Sequence, residues 1–233
     1  MIKSPNRDLL LRVANRLEPL LDELVFVGGQ VTELHITDPL AEHVRPTDDV
    51  DVVCEVASRS EYYHLGQRLK KVGFTEDVTV GAPICRWRAG KDVVDVMPTD
   101  EEILRFKSAW YPLVLATAQP YELTQTLTIR IASPPAFVAT KWEAFQDRWE
   151  GIWYGSHDVE DIVNVVAGRE ELLEELRRAD DELRRYVVRC TASMFEADMV
   201  EDVIAAALPE SNTVTGLLAR VVGRFEKIAY LDR

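Results

Sequence analysis

The spacing of apolar positions divides the chain into two stretches of different character. Up to about Ala132, short runs of different period follow one another. Residues 6–22 carry an apolar stripe of helical spacing, perturbed at Pro19. Leu24-Val25-Phe26-Val27 is a continuous apolar run that stops at Gly28-Gly29, the pattern of a buried strand. A short helix is predicted over 30–37, and residues 49–56 alternate as a strand does. Residues 58–72 return to helical periodicity and end at Gly73, a C-terminal stop signal. Residues 83–89 and 92–97 read as two strands joined by a turn at Gly90-Lys91. Thr99, followed by Glu101 and Glu102, starts a capped helix over 99–106, and residues 121–131 alternate again.

Pro134-Pro135 interrupts this pattern. Beyond it the chain is almost wholly helical in period, over 135–149, 156–167, 169–179, 180–206 and 212–230. Strands mixed with helices, then helices alone, predict an α+β fold. A head domain with a small mixed sheet over 1–133 would be followed by an all-helical domain over 134–233.

Composition narrows the surroundings. With 233 residues and 47% hydrophobic positions the chain can bury a sizeable core. No apolar run approaches the roughly 20 residues that cross a bilayer, and the charged start lacks the apolar stretch of a signal peptide. A cytoplasmic protein with no membrane partner is expected. Cys54, Cys85 and Cys190 are far apart and form no C-x-x-C pair, which disfavours a disulfide framework or a zinc site. A formal net charge of −13 disfavours broad nonspecific nucleic-acid binding. It leaves room for a nucleotide whose charge is carried by metal ions.

The chemistry concentrates in Asp48-Asp49-Val50-Asp51-Val52-Val53. On a strand, Asp49 and Asp51 share one face while Val50 and Val52 take the other. Two adjacent anions repel unless a cation lies between them. Hard ions such as Mg²⁺ or Mn²⁺ prefer such oxygens and keep positions for water and phosphate. A D-x-D pair alone also occurs on solvated strand faces. What adds to it is Asp95, centred in the apolar run 92–97, where an unpartnered charge would be costly. Asp92, at the start of that run, fits a turn. Gly28-Gly29 lies between a strand and a helix, where backbone N–H groups suit a phosphate, although Gly-Gly is also an ordinary tight turn. Neither a Walker A loop nor a dinucleotide fingerprint is present.

Strand, Gly-Gly, helix, D-x-D strand and a later strand with a third Asp together resemble the DNA polymerase β-like nucleotidyltransferase superfamily. The resemblance implies that Gly28 and Gly29 hold a nucleoside triphosphate. It also implies that Asp49, Asp51 and Asp95 hold metal ions, with Asp95 acting on the attacking hydroxyl. Downstream, Lys141, Ala144 and Arg148 recur at helical spacing, followed by Ser156, Asp158, Asp161 and Ile162. Ser156 fits an N-cap, with Asp158 and Asp161 favouring the positive helix start. An ion pair between these bases and acids on a solvated face is the plain alternative. K-x-x-A-x-x-x-R followed by [ST]-x-D-x-x-D-[IL] is similar to the AbiEii-type branch, known as bacterial toxins and abortive-infection proteins. That resemblance implies that Lys141 reaches the phosphates and that Asp158 contributes charge, with Arg148 and Asp161 in support. It further implies transfer of a nucleoside monophosphate to a hydroxyl on RNA, protein or a small molecule, and an antitoxin as a possible partner. Gln30 departs from the Thr or Ser of many relatives.

His35, His43, His64 and His157 are scattered. Trp142, Trp149 and Trp153 are expected to pack between helices. Arg86 and Arg88 alternate with Trp87 and either face the site or pair with acids elsewhere. A different class of function, a catalytically silent copy of the fold acting as a binding or regulatory module, fits the same residues.

Overall fold

The computed structural model describes residues 5–38, 44–56, 58–104, 108–148, 153–208 and 216–232. The chain divides into two compact units. One comprises residues 1–31 and 46–133, the other residues 32–45 and 134–233.

The first unit is built on a seven-stranded mixed sheet. Helix α1 (Pro5–Arg16) stops ahead of Pro19, and a tighter 3₁₀ stretch, Glu18–Glu23, leads into strand β1 (Leu24–Val27). Proline has no N–H to give the preceding turn, so the long helix suggested by the apolar stripe is cut there. A 3₁₀ turn over Gly29–Val31 follows, then a short helix α2 (Thr32–His35), which already belongs to the second unit. Strand β2 (Val50–Cys54) comes next, then helix α3 (Arg59–Lys71), whose N-cap Ser58 accepts from the Glu61 N–H. Strands β3 (Thr75–Glu76), β4 (Arg86–Ala89) and β5 (Asp92–Pro98) follow. Short helices α4 (Glu101–Leu104) and α5 (Tyr111–Ala116) precede β6 (Gln119–Glu122) and β7 (Thr128–Ile131).

The sheet order is β3-β4-β5-β2-β1-β7-β6. β2 is central, antiparallel to β1 and parallel to β5, and β4–β5 is the expected hairpin. Residues 121–131 form most of a second hairpin, β6–β7, and not one strand. Leu123, Leu127, Ile129 and Ile131 are all buried, so the apolar positions match while the chain reversal does not show in them. β5 is buried along its whole length, and the aliphatic residues of β1 and β2 are almost inaccessible.

The second unit is helical: α6 (Pro134–Asp147), α7 (His157–Gly168), α8 (Leu172–Arg178), α9 (Asp181–Glu196), α10 (Val200–Ala207) and α11 (Leu217–Ala229). Pro134-Pro135 open α6, since the first turn of a helix has no use for the missing N–H groups. α6 packs on α7 and α9, and α11 packs on α9 and α7, burying Phe137, Trp142, Ile162, Val187 and Phe225. The helix expected over 180–206 is two helices, because Asp198 takes a left-handed conformation with φ 54°. Trp142 and Phe145 meet Trp153 edge-on and tilted, with ring centroids 6.2 Å and 4.9 Å away, while Trp149 and His43 lie outside the described residues. Among the described residues no helix is long and apolar enough to cross a membrane.

Candidate active site

Pairing across the sheet decides which side chains meet. Residues opposite one another on paired strands share a face. Val27 pairs with Asp51, Asp51 with Asp95, and Asp95 with Arg86. One face of four adjacent strands therefore carries two aspartates and an arginine side by side. Asp49 immediately precedes β2, and Trp87 and Val94 fall on the opposite face.

Arg86 joins the acids. Its Nε donates to Asp95 Oδ1 at 2.9 Å, and its Nη2 to Asp95 Oδ2 and Asp49 Oδ2, both at 2.8 Å. The Asp95 side chain is only 9% exposed and that of Asp49 34%. Burial, then the Asp95 charge, raise the Asp49 pKa above the ordinary carboxylate range, while Arg86 works the other way. The hydrogen bond to Asp95 and the charges of both acids make Arg86 still harder to deprotonate. Cys85, beside the same acids, has its thiol pushed up to about 12 by burial and by Asp95 and Asp51. Arg88, two residues on, is held instead by Asp77 at 2.5 Å.

The glycine turn closes on Asp51. Gly28 has φ 81°, and a Cβ built there would lie 1.9 Å from Asp51 Oδ2. Only a residue without a side chain lets the turn sit this close to the carboxylate. Gly29 opens the 3₁₀ turn that follows, and the Val31 N–H donates to the Gly28 carbonyl at 3.3 Å. Gln30 is fully buried. Its Nε2 donates to the Val27 carbonyl at 2.6 Å and the Asp51 carbonyl at 3.3 Å, tying the turn to the D-x-D strand. The amide does backbone work that a Thr or Ser hydroxyl there could not reach in the same way.

Helix α1 reaches both the D-x-D segment and the β4–β5 hairpin. Asn6 on α1, almost fully buried, accepts from the Thr47 N–H at 2.8 Å and so fixes the chain two residues before Asp49. Arg12 of the same helix donates to Asp92 at 2.9 Å, so Asp92 is a buried hairpin residue paired with α1 and separate from the other acids. Nothing in sequence spacing singles out Asn6. Arg86 had a signal, a basic residue alternating on a strand next to Asp95, but not its partners.

Lys141 and Asp158 are in the second unit. Lys141 on α6 reaches two acids of α7: its Nζ is 2.6 Å from Asp161 Oδ2 and 3.4 Å from Asp158 Oδ1. Arg148 meets Asp158 at 2.5 Å, and Arg45 meets Asp161 at 3.5 Å. The expected ion pairs form: those of Lys141 are buried, while Arg148 reaches Asp158 from an exposed position. Ser156 accepts from the Val159 N–H, as the N-cap pattern predicted.

The donor chemistry of the first unit suits a hard divalent cation. It offers carboxylates side by side, one of them buried and in need of positive charge. As the side chains stand, that charge comes from Arg86. Among the described residues no three His, Cys, Asp or Glu side chains are arranged to hold a metal ion.

No protein-family model and no curated protein matches the sequence. Solved structures do. A crystal structure of an antigenic nucleotidyltransferase-like protein from Paracoccidioides brasiliensis aligns over 90% of this chain and 96% of its own, with TM-score 0.52 and 20% identity. The chain has a nucleotidyltransferase fold. Two structures of the antibiotic-resistance factor ANT(2'')-Ia are also similar. The solution structure aligns over 82% of this chain and 94% of its own, with TM-score 0.48 and 12% identity. The crystal structure with adenylyl-2''-tobramycin aligns over 82% and 99%, with TM-score 0.47 and 11% identity. Within a nucleotidyltransferase fold, the mixed sheet is the scaffold that brings the acids of β2 and β5 beside the turn after β1.

Proposed function

We propose that the protein transfers a nucleoside monophosphate from a nucleoside triphosphate to a hydroxyl acceptor, releasing pyrophosphate. The observation that carries this is the alignment of Asp51 with Asp95 across parallel strands, with Asp49 beside them and Gly28 closed against Asp51. In the reaction an acceptor oxygen bonds to the α-phosphorus, the bond from that phosphorus to the bridging oxygen breaks, and pyrophosphate leaves. The acceptor proton passes to Asp95. Asp49, Asp51 and Asp95 would hold Mg²⁺ or Mn²⁺, which when bound neutralises charge developing on the phosphate oxygens. The turn at Gly28 and Gly29 supplies backbone N–H groups for the triphosphate. Catalysis on this reading is mostly positioning and charge neutralisation.

The K-x-x-A-x-x-x-R and [ST]-x-D-x-x-D motifs support the AbiEii-type branch, in which Lys141 and Asp158 serve the nucleotide and the protein acts as a toxin restrained by an antitoxin. Incubation with each labelled triphosphate, Mg²⁺ and total RNA or lysate tests the activity. Label transfer that disappears in Asp49→Ala supports it. Absence both of transfer and of metal-dependent nucleotide binding refutes it.

A second reading has one observation in its favour. Arg86 already satisfies Asp49 and Asp95, as it would in a silent copy of the fold used for binding or regulation. On that reading Asp49→Ala leaves function intact.

A further inference from the structure

Asp95 is buried on a central strand pair with Asp51 opposite it, and a carboxylate there needs a cation close by. The positive charge that contacts it is the Arg86 guanidinium, which spans both Asp95 oxygens and reaches Asp49 with the same Nη2. Two carboxylates on one guanidinium share a single positive charge, which suits the oxygens of Asp49 and Asp95 to a doubly charged ion. The Arg86 side chain is 23% exposed on its strand, so its head can leave towards water while its stem stays packed. Arg88, on the same face, is committed to Asp77 and does not share the task. Freed from the acids, the planar fork of Arg86 would match the oxygens of a phosphate.

We infer that Arg86 and a divalent cation compete for Asp49 and Asp95, so that Arg86 closes the carboxylate pair until metal displaces it. The inference rests on the reading of these acids as a nucleotidyl-transfer centre, and it makes Arg86 a positioning residue that sets the metal concentration at which the site opens. It also joins the two readings above: the arrangement of a silent site is the metal-free state of an active one.

Mn²⁺ binding measured by electron paramagnetic resonance of the free ion tests this on the full chain. Thermal stabilisation by Mn²⁺ provides a second readout. Arg86→Gln keeps hydrogen-bonding capacity but removes the charge, and is expected to bind Mn²⁺ roughly tenfold more tightly than wild type. Asp49→Asn is expected to lose that gain. Arg86→Lys keeps one positive charge without the fork, should fold if Arg86→Gln does not, and is expected to fall between them. Equal or weaker Mn²⁺ binding by Arg86→Gln or, where only the lysine variant folds, by Arg86→Lys overturns the competition. If wild type still transfers label in that case, the transferase reading stands alone. Tighter binding with neither transfer to any acceptor nor metal-dependent nucleotide binding supports the competition and removes the transferase reading. No Mn²⁺ binding by wild type or either variant overturns both.

Discussion

Gly28→Ala isolates the contact between the glycine turn and the D-x-D strand. The substitution adds one methyl group to a backbone with φ 81°. Holding an L-residue in that left-handed region costs roughly 1–2 kcal/mol. The new Cβ would also stand 1.9, 2.7 and 2.8 Å from Oδ2, Cγ and Cβ of Asp51, so the turn or the carboxylate has to move. Overpacking of this kind adds about 1–3 kcal/mol, for a total of about 2–5 kcal/mol. Gly90→Ala is the matched control: its φ is 63°, yet a Cβ there meets nothing within 4 Å, so it reports the backbone cost alone. Urea unfolding followed by circular dichroism gives both losses. In an Asp51→Ala background the two shortest contacts vanish and the excess cost of Gly28→Ala should shrink. Equal losses for Gly28→Ala and Gly90→Ala, or an excess indifferent to Asp51→Ala, would refute the reasoning.

In the second unit, Lys141→Met takes the 2.6 Å ammonium from buried Asp161, leaving the looser Arg45 contact at 3.5 Å, and should cost about 3–5 kcal/mol by urea unfolding. Asp161→Leu added to it should recover part of that loss, and a double-mutant cycle with no coupling would contradict the pairing. His35 is fully buried against Phe137, and burial with the nearby Arg169 charge pushes its pKa down from 6.5 to about 3. The unfolded chain therefore binds a proton that the folded one refuses. The stability tied to neutral His35 is complete above pH 6.5 and falls as pH drops towards 3, by up to about 1.4 kcal/mol per pH unit. His35→Phe should flatten stability between pH 6.5 and 4, and an unchanged slope would count against this. Cys85, its thiol pushed up to about 12, should resist iodoacetamide in the folded protein at pH 8 and react readily in urea.

Much of the head was legible because period and chemistry agreed. Alternation placed Asp49 and Asp51 on one face, and the improbability of a lone charge in 92–97 marked Asp95 before any pairing was known. Gly28 was visible as a turn, but its contact with Asp51 depends on the β1–β2 register, which no local pattern encodes. β3 has two residues, both exposed, and α5 sits in a segment whose apolar residues suit either period, so neither left a clear trace. The bond from the Thr47 N–H to Asn6 Oδ1 joins distant segments through one polar atom and carries no periodic signal at all. Alternation on a strand next to Asp95 makes Arg86 a candidate to face the site or to pair with acids elsewhere. Its hold on both acids depends on the register of β4 against β5, which no local pattern encodes.

The parallel pairing of β2 with β5 gives the acids an order of assembly. Between Asp51 and Asp95 the chain must run through α3, β3 and β4, and Arg86 arrives only with β4. A nascent chain that has emerged only as far as α3 therefore carries Asp49 and Asp51 with neither the buried Asp95 nor the guanidinium that balances it. A peptide of residues 44–56 holds the whole D-x-D element and still lacks both Asp95 and Arg86. On the proposed reading, cation affinity would belong to the topology, acquired when the last strand of the hairpin docks.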